Sequence, residues 1–237
     1  MVMDFTRTLN KYKELIQPHT RVIKNIIVCI ICFGIFPSII SEPNYLYGIL
    51  FTIIATLYMY WFHMIIHVFE TSNIFSSLLS SLHCYHHKHN DNISYYGEIF
   101  IETIFAHMTV ILNMYFNNTI SYIFMLSTIY YIIIYMLVHN INYGVLNVNN
   151  YHQLHHKDPT TNLGLDIYDY LCSTKHVETP DLEDASHYLP PAILSFFVVL
   201  AIKELLKDAT FSYIFNAVNI ICVIIFLLLT LYTYYCL

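Results

Sequence analysis

Fourteen histidines stand in a chain of 237 residues that has a single tryptophan. Nine of them fall into a regular pattern. His63 and His67 form an HxxxH, His83, His86 and His87 an HxxHH, and His152, His155 and His156 a second HxxHH, with His139 standing alone before the last box. On a helix, residues three or four positions apart share one face, so each box aims two or three imidazoles at a common point. Imidazole nitrogens bind metals at about 2.0–2.1 Å, and nine are too many for one tetrahedral ion, so two ions are implied. At this histidine content roughly 0.05 HxxHH matches are expected by chance in a chain of this length, whereas two occur. Left without metal, clustered rings partly protonate near their ordinary pKa of about 6.5 and repel one another. Ligation removes that cost by holding each ring neutral.

The donor set narrows the chemistry. It needs no cysteine, which disfavours structural zinc and iron–sulfur clusters. Met64 follows His63 where the HExxH of a metalloprotease needs its glutamate. All-imidazole sites suit iron, copper, nickel and zinc alike, so spacing does not choose the metal. His89 extends the second box and His107 lies within an apolar run, and neither is assigned as a ligand; His19, His176 and His187 read as solvated or hydrogen-bonded residues. Ligating imidazoles usually donate their second N–H to a carboxylate or carbonyl, and Glu70, Glu98, Asp166 and Asp169 lie near the boxes. Cys29 and Cys32 form a CxxC inside an apolar run and read as small core thiols.

The elements that position these rings have to be membrane helices. The chain is 57% apolar and 11% charged, with a mean hydropathy of +0.54, whereas a soluble domain carries about a quarter charged residues. A net charge of −6 argues against a nucleic-acid partner, and no glycine-rich phosphate loop is present. A helix needs about twenty apolar residues to cross a bilayer. Residues 22–40, 45–67, 99–116 and 120–138 read as four spans, the third weakened by Glu102 and His107, and 188–202 and 211–235 as a C-terminal hydrophobic pair. The fold class is therefore all-α, a multi-pass transmembrane bundle with a histidine-rich helical cap. It divides into an N-terminal segment 1–21, a membrane-embedded catalytic domain 22–187 and a C-terminal hairpin 188–237. Five of the ten Lys and Arg residues (Arg7, Lys11, Lys13, Arg21 and Lys24) precede or open the first span. The positive-inside rule then makes the N-terminus cytosolic, which brings all nine boxed histidines to the cytosolic side.

In this order and over about residues 45–175, the boxes resemble those of the fatty acid hydroxylase/sterol desaturase superfamily. Asn162-Leu-Gly164 and Tyr168-Asp169-Tyr-Leu171-Cys-Ser-Thr174 are similar to that family's N-[FY]-G…WD-x-L-F-G-T ending. The resemblance implies a di-iron oxygenase of the endoplasmic reticulum that hydroxylates or desaturates a fatty acyl, sphingoid or sterol lipid. It implies two iron ions, with zinc as a substitute, on His63, His67, His83, His86, His87, His139, His152, His155 and His156. O2 would be the oxidant, the lipid would come from the membrane, and cytochrome b5 with its reductase would supply electrons. Tyr168 replaces the family's Trp and Cys172-Ser173 its Phe-Gly, so the turn there is expected to differ. A zinc-dependent membrane hydrolase and a non-catalytic membrane metal- or haem-binding protein are the competing readings.

Overall fold

The computed structural model describes residues 20–68, 82–89, 91–139, 151–178 and 183–236, of which 68, 151–153 and 233–236 are described by backbone alone. Among these residues every regular element is a helix. Six are long and apolar enough to cross a membrane: α1 (Thr20–Ile40), α2 (Tyr45–His67), α4 (Asn92–Phe116), α5 (Thr119–His139), α8 (Leu189–Leu205, entered through the 3-10 turn Ala185–Tyr188) and α9 (Ala209–Cys236). Three short helices complete the order: α3 (82–88), α6 (Tyr151–Lys157) and α7 (Asp166–Cys172). This is a multi-pass membrane architecture.

The outer faces carry exposed Ile, Leu and Phe, including Leu46, Phe197, Leu228 and Leu231. A surface so apolar is stable only with lipid as its solvent. The core lies around α5, where Met125, Leu126, Tyr130, Ile132 and Ile134 are almost fully buried. Helices α2, α4 and α8 pack against α5, and α9 packs on the outer side of α4. The C-terminal pair thus packs on the bundle through both helices, α8 on α5 and α9 on α4. Polar side chains fix these contacts: Tyr130 Oη donates to Cys32 O at 2.7 Å and Ser195 Oγ to Tyr130 O at 2.6 Å. Cys32 is buried in this core, whereas Cys29 is exposed.

Local sequence explains the irregular points. Pro37 has no N–H to donate to the turn before it, and the preceding residues Ile30–Ile35 widen into a π-helical turn in which Phe36 N–H reaches Ile31 O. Gly48 sits where a Cβ would stand 2.2 Å from Ser41 Oγ and 2.3 Å from Pro37 O, so only glycine lets α2 cross the end of α1 this closely. Helix α4 begins at Asn92, seven residues before the apolar run. Asp91 caps it by accepting from Ser94 N at 2.8 Å, as short acidic side chains do at helix starts. Its polar first turns are covered by histidines, which is why hydropathy alone starts the helix late.

Candidate metal centre

Helix α2 ends, α4 begins and α5 ends at the same end of the bundle, and α3, α6 and the 162–174 segment pack over that end. His63 and His67 lie one turn apart on α2, His83, His86 and His87 on α3, His139 is the last residue of α5, and His155 and His156 lie on α6. The structure brings these eight rings together. The ninth, His152, lies on α6 with its side chain outside the described residues, as do Glu70 and His19 entirely.

Five rings, those of His63, His67, His83, His87 and His155, offer nitrogens all within 4.8 Å of one another. Nε2 of His83 lies 3.1 Å from that of His63, 2.9 Å from that of His67 and 3.1 Å from that of His87. The other three imidazoles adjoin this group: the His86 ring is 4.8 Å from His156 and 5.5 Å from His139, and His156 stacks on His87 at 4.4 Å.

The opposite ring nitrogens decide what this convergence means. His63 Nδ1 lies 2.7 Å from Leu163 O, His155 Nδ1 2.7 Å from Thr161 O, and His83 Nδ1 2.7 Å from Glu98 Oε1. A carbonyl or carboxylate only accepts, so each of these Nδ1 atoms carries the proton and each Nε2 presents a bare lone pair. Lone pairs aimed at one point repel unless a cation lies between them. Separations of 2.9–3.2 Å are those of nitrogens bonded side by side to one ion at about 2.0–2.1 Å. His86 Nε2 is also buried without a hydrogen-bond partner, a further donor position that an ion would fill. The residues present therefore fit metal.

Electrostatics agrees. Burial is the main cause holding His86, His87, His155 and His156 below the ordinary imidazole value, with neighbouring rings adding to it, and His156 is lowered to about 4. At neutral pH these rings are neutral ligands even before metal binds, where the sequence alone suggested partial protonation. Two carboxylates of α4 complete the surround. Glu98 and Glu102 are each 2% exposed; Glu98 accepts from His83, and Glu102 meets Nδ1 of His139, which also lies 3.8 Å from Glu98.

The family model for fatty acid hydroxylases matches residues 48–174, more than half of the chain and the same stretch that carries this cluster. The chain belongs to the fatty acid hydroxylase family. No curated protein and no solved structure matches it.

The substituted positions of the hydroxylase ending each have a defined place in the fold. Ser173, in the family's glycine position, holds the left-handed conformation (φ 60°, ψ 32°) and terminates α7. Serine here takes a conformation in which glycine would be unstrained. Tyr168, in place of tryptophan, anchors α7 to α2 through Thr56, Oη to Oγ1 2.7 Å. Gly164 lies flat on Tyr60, where a Cβ would approach the ring to 3.0 Å.

Asp169 does not touch an imidazole. It accepts from Leu163 N at 2.9 Å and from Thr174 Oγ1 at 2.7 Å, and so holds the residue whose carbonyl orients His63. Burial pushes its carboxyl up to about 6, against the lowering effect of these hydrogen bonds. Asp166 pairs with Lys175 instead of a ring. His89 stacks on Tyr85, and His107 Nδ1 meets Asn219 Oδ1 at 2.7 Å, a bond between α4 and α9. Neither joins the cluster. His176 accepts from Glu178 N, and His187 lies beside Glu183 and Asp184, also away from it.

Sequence reasoning missed Glu102. It had a signal: an ionisable residue in a span is a functional candidate by default, and Glu102 lies four residues after Glu98 on the same face.

Proposed function

We propose that this protein hydroxylates or desaturates a lipid at a pair of iron ions, using O2 and electrons from a separate donor such as cytochrome b5 with its reductase. The reading places it in the endoplasmic reticulum with the histidine cluster facing the cytosol, in line with the Lys and Arg before α1. The observation that carries it is the convergence of Nε2 lone pairs from rings whose Nδ1 protons are held by Leu163 O, Thr161 O and Glu98. The iron pair, when bound, supplies the redox power to activate O2 against an unactivated C–H bond.

The chain does the rest. His63, His67, His83, His87 and His155 hold one part of the centre, and His86, His139 and His156 adjoin it. His152 completes the set on α6. Glu98 and the carbonyls of Leu163 and Thr161 keep His83, His63 and His155 in the ligating tautomer, and Glu102 lies against His139. The apolar flanks of α1 and α2 receive the lipid from the bilayer, and the buried, tyrosine-rich surround of Tyr131, Tyr135 and Tyr188 keeps bulk water from the reacting carbon.

Purified without chelator, the protein should contain two irons per chain and oxidise lipid only when O2 and a reductant are present. Comparing the lipids of a host expressing the wild type with those of one expressing His155→Ala identifies the substrate. Zinc as the native metal, with turnover independent of oxygen, refutes the reading in favour of a hydrolase.

A further inference from the structure

Outside the histidine cluster lies an open groove of about 680 Å³ with an almost wholly apolar wall. Helix α1 forms one side through Val22, Ile26, Ile30 and Phe33, helix α2 contributes Ile53 and Thr56, and α7 closes the groove with Ile167, Tyr168 and Leu171. From Val22 to Phe33 it runs about 16 Å along α1 at 1.5 Å per residue. The π-helical turn Ile30–Ile35 lies in this wall, and such turns are frequent at functional sites.

Two features separate this groove from an ordinary lipid-facing furrow. Its wall includes α7, which is not a membrane span, and it adjoins the site. Leu165, Asp166, Glu183 and Tyr188 line both the groove and a cavity of about 40 Å³ that reaches Tyr135 and His139.

The polar end of the groove is acidic. Asp166 and Glu183 lie there with Asn25, and no Lys or Arg lines the groove among the described residues. The cations nearby already have carboxylates: Lys175 pairs with Asp166, and Lys24 with Asp184 at 2.8 Å. Glu183 itself is only 7% exposed. A carboxylate or phosphate head placed there would bury a second negative charge beside Glu183, at a cost that attraction to a cation does not offset. A hydroxyl or an ammonium would instead donate to these carboxylates.

We infer that this groove is the substrate-binding site for a long-chain lipid with a hydroxyl- or amine-bearing head, and that it rejects free fatty acids. The inference rests on the lipid-oxidising function proposed above and names its substrate class.

The test uses the full-length protein in nanodiscs with two probes, a long-chain alcohol and the fatty acid of equal length, each with a mid-chain diazirine. After irradiation, the alcohol should label peptides within 22–33 and 167–171 at least about tenfold more than the acid, the ratio produced by about 1.4 kcal/mol. Glu183→Gln should narrow that ratio several-fold. Ile30→Trp and, independently, Leu171→Trp at an exposed position should each block labelling while leaving metal content unchanged. Equal labelling by the acid overturns the head-group assignment, and labels spread evenly over α8 and α9 overturn the groove. Crosslinking needs neither metal nor O2. A labelled groove in a protein without oxygenase activity therefore counts against the proposed function alone, and an active enzyme labelled elsewhere counts against the groove alone.

Discussion

Glu98 offers the sharpest test of how the histidine cluster is held. Its Oε1 lies 2.7 Å from His83 Nδ1 in a setting where each side chain is 2% exposed. That contact keeps the His83 proton on Nδ1, and Nε2 of the same ring stands within 2.9–3.1 Å of three other imidazole nitrogens. Glu98→Ala removes the acceptor, so the proton can move to Nε2, into the space an ion would take. Loss of an outer hydrogen-bond partner typically lowers metal affinity 10–100-fold, or about 1.4–2.7 kcal/mol. The upper end applies here, because no water replaces the carboxylate at so buried a site. Glu98→Gln keeps an acceptor oxygen but loses the charge, so about tenfold is expected. Chelator competition, followed by elemental analysis in detergent, gives both numbers, with Glu178→Gln at an exposed position as the control. If Glu98→Ala resists chelator as well as the wild type does, the tautomer argument is wrong.

Three further outcomes follow from the same geometry. His86→Ala and His155→Ala should each lose bound metal and lipid oxidation, while His89→Ala should keep both and His107→Ala should keep the metal while loosening α9; metal analysis and thermal melts separate these. Metal-free protein should lose stability as pH falls from about 6.5 to about 4. Over that window His156, held at about 4, and His86, His87 and His155, held below the ordinary imidazole value by burial, bind fewer protons when folded than when unfolded. Asp169, raised to about 6, works in the opposite direction as one group against four, so a melting temperature that rises towards pH 4 would contradict the burial of the rings. Ser173→Gly should stabilise the protein by about 0.5–1 kcal/mol, the relief of a left-handed residue less the added freedom of the unfolded chain, read as a higher melting temperature.

Much of this was legible in the chain. The helical spacing of the boxes aimed His83, His86 and His87 one way, and the membrane spans put all boxes at one end of the bundle, because a span crossed in each direction returns the chain to the same side. The partners of the rings were harder to see. Leu163 O and Thr161 O orient His63 and His155, yet a backbone carbonyl leaves no mark in a sequence. Asp169 matched a family position, but its work on Leu163 N and Thr174 depends on a loop whose path the residue types do not dictate. His107 carried the same intramembrane signal as Glu102 and proved to join two helices, as polar residues in spans also do.

The hydropathy of α4 is low for a reason that links stability to function. A carboxylate in a span is costly unless it is matched, and α4 places Glu98 and Glu102 on one face, one turn apart. Both are matched by ring nitrogens, Glu98 by His83 and Glu102 by His139. The match works in both directions: without the imidazoles the carboxylates would be buried charges, and without the carboxylates the imidazoles would have no fixed tautomer. A metal bound on the far side of those rings makes their N–H groups stronger donors, so ion binding and the seating of α4 in the bundle should reinforce one another. Removing metal should therefore loosen the start of α4 first, visible as faster hydrogen exchange in residues 92–102 than in the buried middle of α5. Uniform protection across both helices in the metal-free protein would show that the carboxylates stand without help from the centre.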